Sequence, residues 1–112
     1  MSEENKLLIV SSMFNVEAWI ERTIGSVLRQ DYENYEYILV DDMSEDQTVN
    51  IAKRLTEGNE KITVLTNTEK KYSLRNIYEG IHALNPEKDD IIVTLDGDDW
   101  LANKKVLSML NS

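Results

Sequence analysis

Residues 91–100 read Ile-Ile-Val-Thr-Leu-Asp-Gly-Asp-Asp-Trp, a short apolar run that ends in three carboxylates grouped around one glycine. An apolar run of this length, bounded by turn residues, is typical of a buried strand. Acids at the end of the strand do not help the chain to fold. They are costly, because two carboxylates about 4 Å apart repel each other by about 4 kcal/mol at an effective dielectric of 20. A bound cation offsets this repulsion. The stretch therefore predicts a strand that leads into a site for Mg²⁺, Mn²⁺ or Ca²⁺, which prefer oxygen ligands.

Three more apolar runs precede this one, and segments with helical periodicity separate them. We predict strands over residues 6–12, 36–40, 61–66 and 91–95. Nearly continuous apolar runs suit strands that are covered on both faces, whereas a half-exposed antiparallel sheet shows strict alternation. The sequence thus predicts the α/β fold class, with a mainly parallel sheet of about four strands and helices on both faces.

The predicted helices carry apolar stripes at helical spacing. The stripe of the first helix is Val16, Ile20, Ile24, Val27 and Leu28, and that of the third is Leu74, Ile77, Tyr78, Ile81 and Leu84. Ser44 and Gln47 have the spacing of a capping box, so we predict a second helix over residues 46–56. Residues 58–59 (Gly-Asn) and 85–86 (Asn-Pro) are stop signals for the second and third helices.

Composition narrows the possible functions. A chain of 112 residues is long enough for one domain, and 12 basic against 21 acidic side chains give a formal charge of −9, which disfavours nucleic acid as a partner. The sequence contains no cysteine, which excludes thiolate catalysis and Cys-based zinc sites. Its first residues are acidic and polar, whereas a signal peptide begins with basic residues that are followed by an apolar run. No apolar run approaches the roughly 20 residues of a membrane span. We therefore expect a cytoplasmic protein without a transmembrane segment.

Polar loops follow three of the predicted strands, at residues 12–15, 41–44 and 96–99. Parallel sheets bind ligands at the carboxyl ends of their strands, where the strand order reverses. We expect the three loops to meet at one edge of the sheet and to form a binding site there.

With these motifs in this order, the chain resembles the nucleotide-sugar-binding half of a family 2 glycosyltransferase with the GT-A fold, a Rossmann-like three-layer sandwich. The resemblance spans nearly all 112 residues and rests on five segments: residues 10–20, 26–32, 37–46, 74–76 and 96–101. It implies that residues 1–112 are the nucleotide-sugar-binding portion of such a domain. It further implies a nucleotide-diphosphate sugar as donor, with a UDP-sugar expected, and a saccharide or other hydroxyl compound as acceptor.

The resemblance also assigns roles to residues of the first two loops. Ser12, Phe14 and Asn15 would cradle the base of the nucleotide, and Asp42 would hydrogen-bond to it. The family often has a proline where Ser12 stands and an aromatic hydroxyl where Phe14 stands, so stacking is kept but one hydrogen bond is in doubt.

Asp96 and Asp98 match the family's Asp-any-Asp (DXD) motif, and Asp99 extends it. The resemblance implies that Asp96 meets the ribose and that Asp98 or Asp99 binds Mn²⁺ or Mg²⁺ against the diphosphate. Arg75, with help from Lys71, would meet phosphate charge, since a guanidinium can make paired hydrogen bonds.

The reaction that the family performs is transfer of the sugar with inversion at the anomeric carbon. A carboxylate general base then takes the proton of the acceptor hydroxyl. In the family this base and the acceptor-binding half follow the Asp-any-Asp motif, so we expect them beyond Ser112. An isolated chain of this kind would expose a strand edge, and we expect it to self-associate.

The same residues allow plainer interpretations. Asp41 and Asp42 are common turn formers, and Arg75 can simply pair with nearby acids. Trp19 and Trp100 are expected to be packing residues rather than sugar platforms, and His82 has no carboxylate at metal-ligand spacing.

Other classes of protein match less well. A phosphorelay receiver domain has its acidic pair after the first strand, whereas Asp41 and Asp42 follow the second. A haloacid-dehalogenase-type phosphatase has Asp-any-Asp after its opening strand and a Thr or Val soon after, where Trp100 stands. An EF-hand needs a central glycine and a closing glutamate that neither loop has. A last alternative keeps the family but not the activity: a catalytically inactive fragment that binds nucleotide sugar.

Overall fold

The computed structural model describes residues 5–111 and consists of alternating strands and helices. The strands are β1 (Leu7–Met13), β2 (Tyr35–Asp41), β3 (Ile62–Thr66) and β4 (Ile91–Thr94). The helices are α1 (Ile20–Leu28), α2 (Thr48–Thr56), α3 (Tyr72–Leu84) and α4 (Val106–Asn111). All four predicted strands are confirmed to within one residue at each end. The acidic start of the chain, residues 1–4, lies outside the described residues.

The strands form one parallel sheet in the order β3-β2-β1-β4. Val10 in the middle of β1 pairs with Ile38 of β2 on one side and with Thr94 of β4 on the other. The chain therefore moves outward from β1 through β2 to β3 and then returns to the opposite side of β1. This reversal between β1 and β4 opens a crevice at their carboxyl ends, the usual ligand position in such sheets.

Helices cover both faces of the sheet, as predicted. On one face, α1, α2 and α4 bury Ile24, Ala52 and Leu107 against residues such as Ile9 and Tyr37 of the sheet. On the other face, α3 covers a smaller cluster made by Val10, Ile38 and Val40, with Ile77, Ile81 and Leu84 packed against it. The result is a three-layer sandwich with a central sheet.

Only part of each predicted apolar stripe is buried. Leu74 and Tyr78 of α3 are 84% and 59% exposed, and Leu28 at the end of α1 is 41% exposed. The face of α3 that meets the sheet is centred on Gly80, where an added Cβ would lie 2.8 Å from Val10 Cγ1. That contact rotates Leu74 and Tyr78 toward solvent, so the inclusion of these residues in a buried stripe was wrong.

The capping box at the start of α2 was also wrong. The Ser44 hydroxyl donates to Asp41 Oδ1 and accepts from the N–H of Asn15, so it is not available to the helix. Asp46 Oδ1 instead accepts from the backbone N–H of Thr48 at 2.9 Å, and α2 begins at Thr48 rather than at residue 46.

Both helix stops are confirmed, since Gly58 and Asn85 follow α2 and α3 with left-handed φ angles of 78° and 52°. The longest described helix, α3, has 13 residues. Within residues 5–111, no helix has the length and apolar character needed to cross a membrane.

Candidate functional site

The loops after β1, β2 and β4 meet the loop before α3 around a pocket of about 310 Å³. Its walls are formed by Ser12, Phe14, Val16, Asp42, Lys70, Tyr72, Ser73, Asp96, Gly97 and Asp98. The volume falls at the lower end of the range of small-molecule sites. We call this cavity the acidic pocket, because three carboxylates and one cationic side chain line it.

Asp42 is the most strongly held side chain of the acidic pocket, and it is only 2% exposed. Its Oδ1 accepts from the N–H of Lys71 and from the Asn67 amide, and its Oδ2 accepts from the N–H of Tyr72. Burial alone would raise the pKa of Asp42, but these donors together with Lys70 outweigh it and lower the pKa to about 2. Asp42 therefore stays a carboxylate at any physiological pH.

Lys70 brings a positive charge into this pocket. Its Nζ lies 3.3 Å from Asp42 Oδ2 and 3.0 Å from the centroid of the Phe14 ring. The ammonium thus makes an ion pair and a cation–π contact at the same time. Sequence reasoning missed Lys70 and favoured Arg75, since only the path of the loop before α3 shows which cation turns inward.

The backbone of Tyr72 is strained at this point. Its φ angle of 67° is uncommon for a residue with a side chain, and it directs the Tyr72 N–H at Asp42. Such strain persists only where the surrounding contacts hold it. The loop before α3 is therefore shaped around the Asp42 carboxylate.

A chain of two side-chain amides, from Asn67 and Asn76, connects Asp42 to Ser12. The Asn67 amide donates both to Asp42 Oδ1 and to Asn76 Oδ1, at 3.0 and 2.7 Å, and the Asn76 amide donates to the Ser12 hydroxyl at 3.0 Å. Asn76 is fully buried, and the sequence indicated it only as part of the segment 74–76. These bonds fix the orientation of the Ser12 side chain in the pocket wall.

The acidic loop after β4 is anchored from two sides. The N–H of Gly97 donates to the Ser12 carbonyl at 3.1 Å, and the Thr23 hydroxyl of α1 lies 2.9 Å from the Gly97 carbonyl. A Cβ on Gly97 would lie 3.1 Å from both Ser12 O and Val16 Cγ2. Glycine thus permits the close approach that brings the loops after β1 and β4 together.

Three of the predicted site residues do not line the acidic pocket. Asp99 Oδ1 accepts from the Trp100 N–H. Asn15 links the first two loops through its side-chain oxygen, which accepts from the Glu45 N–H. Arg75 Nε lies 2.9 Å from Glu79 Oε2 on the same helix, as its plainer interpretation expected.

Glu79 is shared between two cations, which explains why neither turns toward the pocket. Lys71 Nζ lies 2.8 Å from Glu79 Oε1 while Arg75 holds the other oxygen. Hydrogen bonds from Lys71 and then Arg75 lower the pKa of Glu79.

The tryptophans expected to pack, Trp19 and Trp100, are 48% and 44% exposed.

The acidic pocket suits a metal only in an open form. Within the described residues, no group of three or more His, Asp or Glu side chains is placed to hold a metal ion. Asp96 and Asp98 are however both in the pocket wall, and Mg²⁺ in particular usually binds through one or two carboxylates, substrate phosphates and water. The residues therefore fit an ion whose remaining ligands come from a bound diphosphate.

The family model described as glycosyl transferase family 2 matches residues 8–112. The chain belongs to glycosyl transferase family 2. It is 30% identical over 105 residues to an uncharacterized glycosyltransferase of Haemophilus influenzae, covering 92% of this chain and 40% of the relative. It is 37% identical over 99 residues to the UDP-Glc:α-D-GlcNAc-diphosphoundecaprenol β-1,3-glucosyltransferase WfgD of Escherichia coli, covering 86% of this chain and 36% of the relative. The chain thus spans two fifths or less of the length of these relatives.

Solved structures of this family's fold superpose well. The mannosyltransferase PcManGT from Pyrobaculum calidifontis, in complex with GDP-Man and Mn²⁺, gives a TM-score of 0.80 at 20% identity over 92% of this chain and 30% of that one. S. aureus TarS in complex with UDP-GlcNAc gives a TM-score of 0.77 at 23% identity over 94% and 30%. These likenesses confirm the predicted GT-A, Rossmann-like fold, and family membership leaves the receiver and phosphatase alternatives without support.

Proposed function

We propose that this chain binds the donor of a glycosyltransferase, a nucleotide-diphosphate sugar, and that the protein transfers the sugar with inversion to an acceptor hydroxyl. The observation that carries the proposal is the convergence of Phe14, Asp42, Asp96 and Asp98 on one pocket at the reversal of strand order. A UDP-sugar is the donor we favour, because the E. coli relative is named for UDP-Glc and TarS was solved with UDP-GlcNAc.

The base of the nucleotide is proposed to stack on Phe14. The Phe14 ring is 43% exposed and faces the pocket, and an exposed aromatic face suits a flat heterocycle. Beside Phe14 in the pocket wall, Asp42 offers a carboxylate acceptor and Ser12 offers a hydroxyl group. Because Lys70 already lies over the Phe14 ring, its ammonium must move when a base stacks there.

The diphosphate is proposed to lie between Lys70 and the acidic loop. Asp98 is the preferred ligand for Mn²⁺ or Mg²⁺, with Asp99 as the other candidate, and Asp96 meets the ribose. A divalent ion bound there would stabilise negative charge on the leaving diphosphate as a Lewis acid. Lys70 is the cation best placed to reach the phosphates on the other side, and Arg75 can do so only after leaving Glu79.

The general base and the acceptor site are proposed to belong to the part of the family's fold that follows the Asp-any-Asp motif. Binding and transfer are therefore separate questions, and a catalytically inactive fragment would share the first property with an active enzyme. Donor binding is the property that the described residues can be tested for directly.

Calorimetric titration of the chain with UDP, in the presence of Mn²⁺ and then of EDTA, tests the proposal. We expect binding that requires Mn²⁺ and weakens at least tenfold in Asp98→Asn, about 1.4 kcal/mol or more. Asp89→Asn, an exposed aspartate away from the pocket, is the matched control and should bind normally. Asp99→Asn shows which of the two acids is the stronger ligand. Equal binding by the Asp98 variant, or no binding to the folded chain, would contradict the proposal.

A further inference from the structure

A second cavity, larger than the acidic pocket, lies between α1 and the segment 100–104 and has a volume of about 620 Å³. Three cationic side chains line it, Arg22, Arg29 and Lys104, and no carboxylate does. This composition is unusual in a chain with 12 basic and 21 acidic residues. We call this cavity the basic pocket.

The two arginines lie on the same side of α1, with Arg22 inside the helix and Arg29 directly after its last residue. They are seven residues apart, which is about two helical turns, so both side chains leave the same face. Neither makes an ion pair within 4.0 Å among the residues that the structure describes. Lys104 is only loosely paired, with its Nζ 4.0 Å from Asp31 Oδ2. The pocket therefore concentrates positive charge that nearby carboxylates do not neutralise.

Arg22 is arranged to accept an anion. Its guanidinium carbon lies 4.6 Å from the centroid of the Trp100 ring. Stacking occupies the flat face of a guanidinium and leaves its in-plane N–H groups free to bind oxygen atoms. The contact with Trp100 thus holds Arg22 at the cavity without a hydrogen bond from its N–H donors.

Arg29 depends on a glycine for its position. The Arg29 guanidinium folds back along α1, and a Cβ on Gly25 would lie 2.8 Å from Arg29 Nη1. Only glycine at position 25 leaves this space empty. The pocket is thus shaped by the side chain of Arg29 and by the absence of one at Gly25.

The basic pocket is also joined to the acidic loop. Trp100 and Leu101 directly follow Asp98 and Asp99, and the Leu101 N–H donates to the buried Ser26 hydroxyl at 2.9 Å. One short segment therefore carries the wall of the acidic pocket at its start and the wall of the basic pocket at its end.

We propose that the basic pocket binds a phosphate-bearing group of a small molecule, such as a diphosphate or a phosphomonoester. Arginine forks match phosphate oxygens in pairs, and the volume suits a small ligand. The net charge of −9 repels an extended anionic surface, so a compact anion is favoured over a layer of acidic lipid. The proposal does not depend on donor binding in the acidic pocket.

Fluorescence of Trp100 provides the test. The chain has two tryptophans, so Trp19→Phe leaves Trp100 as the sole reporter. In EDTA, we expect the ratio of iodide quenching to caesium quenching to be higher for Trp100 than for free N-acetyltryptophanamide, because three cations line the cavity beside it. Added pyrophosphate should protect Trp100 from iodide in a saturable way. Its apparent affinity should fall at least fivefold in Arg22→Gln and in Arg29→Gln.

Matched variants separate the explanations. Arg54→Gln removes an exposed arginine of α2 that pairs with Glu21 and should leave pyrophosphate binding unchanged, while circular dichroism checks that every variant is folded. Equal affinity in the Arg22, Arg29 and Arg54 variants would overturn the proposal. So would a loss confined to Lys70→Gln, which would place the anion in the acidic pocket. Binding to phosphatidylglycerol vesicles, but neither to phosphatidylcholine vesicles nor to pyrophosphate, would assign the pocket to a lipid surface instead.

Discussion

Lys70 Nζ lies 3.3 Å from Asp42 Oδ2, inside the pocket that the nucleotide is proposed to enter. Among the described residues of the pocket wall, Lys70 is the single cation, facing the carboxylates of Asp42, Asp96 and Asp98. The Lys70 side chain is 31% exposed, whereas the Asp42 side chain is 3% exposed. The ammonium is therefore accessible to an incoming phosphate, whereas the Asp42 carboxylate is enclosed and held by three donors.

Replacing Lys70 by glutamine should weaken binding of UDP about tenfold, or about 1.4 kcal/mol, because the pocket loses its positive charge. The corresponding change at Arg75 should weaken binding less than twofold, since Arg75 is held by Glu79 outside the pocket. Calorimetry with Mn²⁺ present measures both. Salt provides an independent check: added NaCl should reduce the affinity of the unaltered chain more than that of Lys70→Gln. Tighter binding by the Lys70 variant would mean that Lys70 only obstructs the site.

Asp42 should make the stability of the fold depend on pH. Its pKa is lowered in the folded chain from 3.8 to about 2, so the folded state binds the proton less readily than the unfolded state does. This stabilisation is present above the unfolded pKa and is lost as pH falls through the folded pKa. A shift of this size corresponds to about 2 kcal/mol at pH 7, of which about 1 kcal/mol is lost by pH 3.

Urea unfolding at pH 7 and at pH 3 measures this contribution. Asp42→Asn should lower the free energy of unfolding at pH 7 by about 2 kcal/mol, because the amide cannot accept at both positions. It should also lose less stability between pH 7 and pH 3 than the unaltered chain. Asp89→Asn is the control and should follow the unaltered chain at both pH values. The same pH dependence in all three proteins would show that Asp42 has an ordinary pKa.

The order of the strands explains which site residues the sequence could predict. Ser12 is near the end of β1, and Phe14, Asp42, Asp96 and Asp98 come soon after the ends of β1, β2 and β4. The carboxyl ends of parallel strands necessarily meet at one edge of the sheet. Their proximity in the structure follows from the fold alone. No knowledge of the connecting loops was needed.

Lys70 and Asn76 could not be found in this way. Their positions depend on the loop before α3, whose path is set by the left-handed backbone of Tyr72 and by the donors that it turns toward Asp42. The capping box failed for a similar reason, since Ser44 bonds to Asp41 and Asn15 instead. Local patterns identify residues that are able to form a bond, whereas distant parts of the chain decide which bond forms.

Two glycines inside helices should respond in opposite ways to alanine. Gly25→Ala adds a methyl group that displaces only the flexible end of Arg29, and alanine in a helix interior is favoured over glycine by about 1 kcal/mol. Gly80→Ala places the methyl group 2.8 Å from Val10 Cγ1 and 3.3 Å from Val40 Cγ2 in the core. Overpacking of this kind costs about 1–3 kcal/mol.

Thermal and urea unfolding of the two variants should therefore show a higher midpoint for Gly25→Ala and a lower one for Gly80→Ala. Each variant is the control for the other, because the chemical change and the helical setting are the same. Midpoints that both rise would show that helix propensity, rather than the neighbours of each glycine, determines the result. Midpoints that both fall would show that Arg29 does not give way to the new methyl group. The Gly25 variant should also bind pyrophosphate more weakly, since Arg29 is displaced from the basic pocket.

The edge of the sheet at β4 is proposed to mediate self-association of the isolated chain. β4 is the last strand of the sheet and pairs with β1 on one side. Ile92 on this strand is 41% exposed. A strand edge next to exposed apolar surface is a template for pairing with another chain, and a lysine there opposes pairing.

Static light scattering over a range of concentrations tests this proposal. The apparent mass should rise with concentration, and Ile92→Lys should reduce the rise. β3 forms the opposite edge of the sheet, so Thr63→Lys on that strand is the matched control and should leave association unchanged. Reduction by the Thr63 variant alone would move the contact to β3. A constant monomer mass at high concentration would show that neither edge pairs and would overturn the proposal.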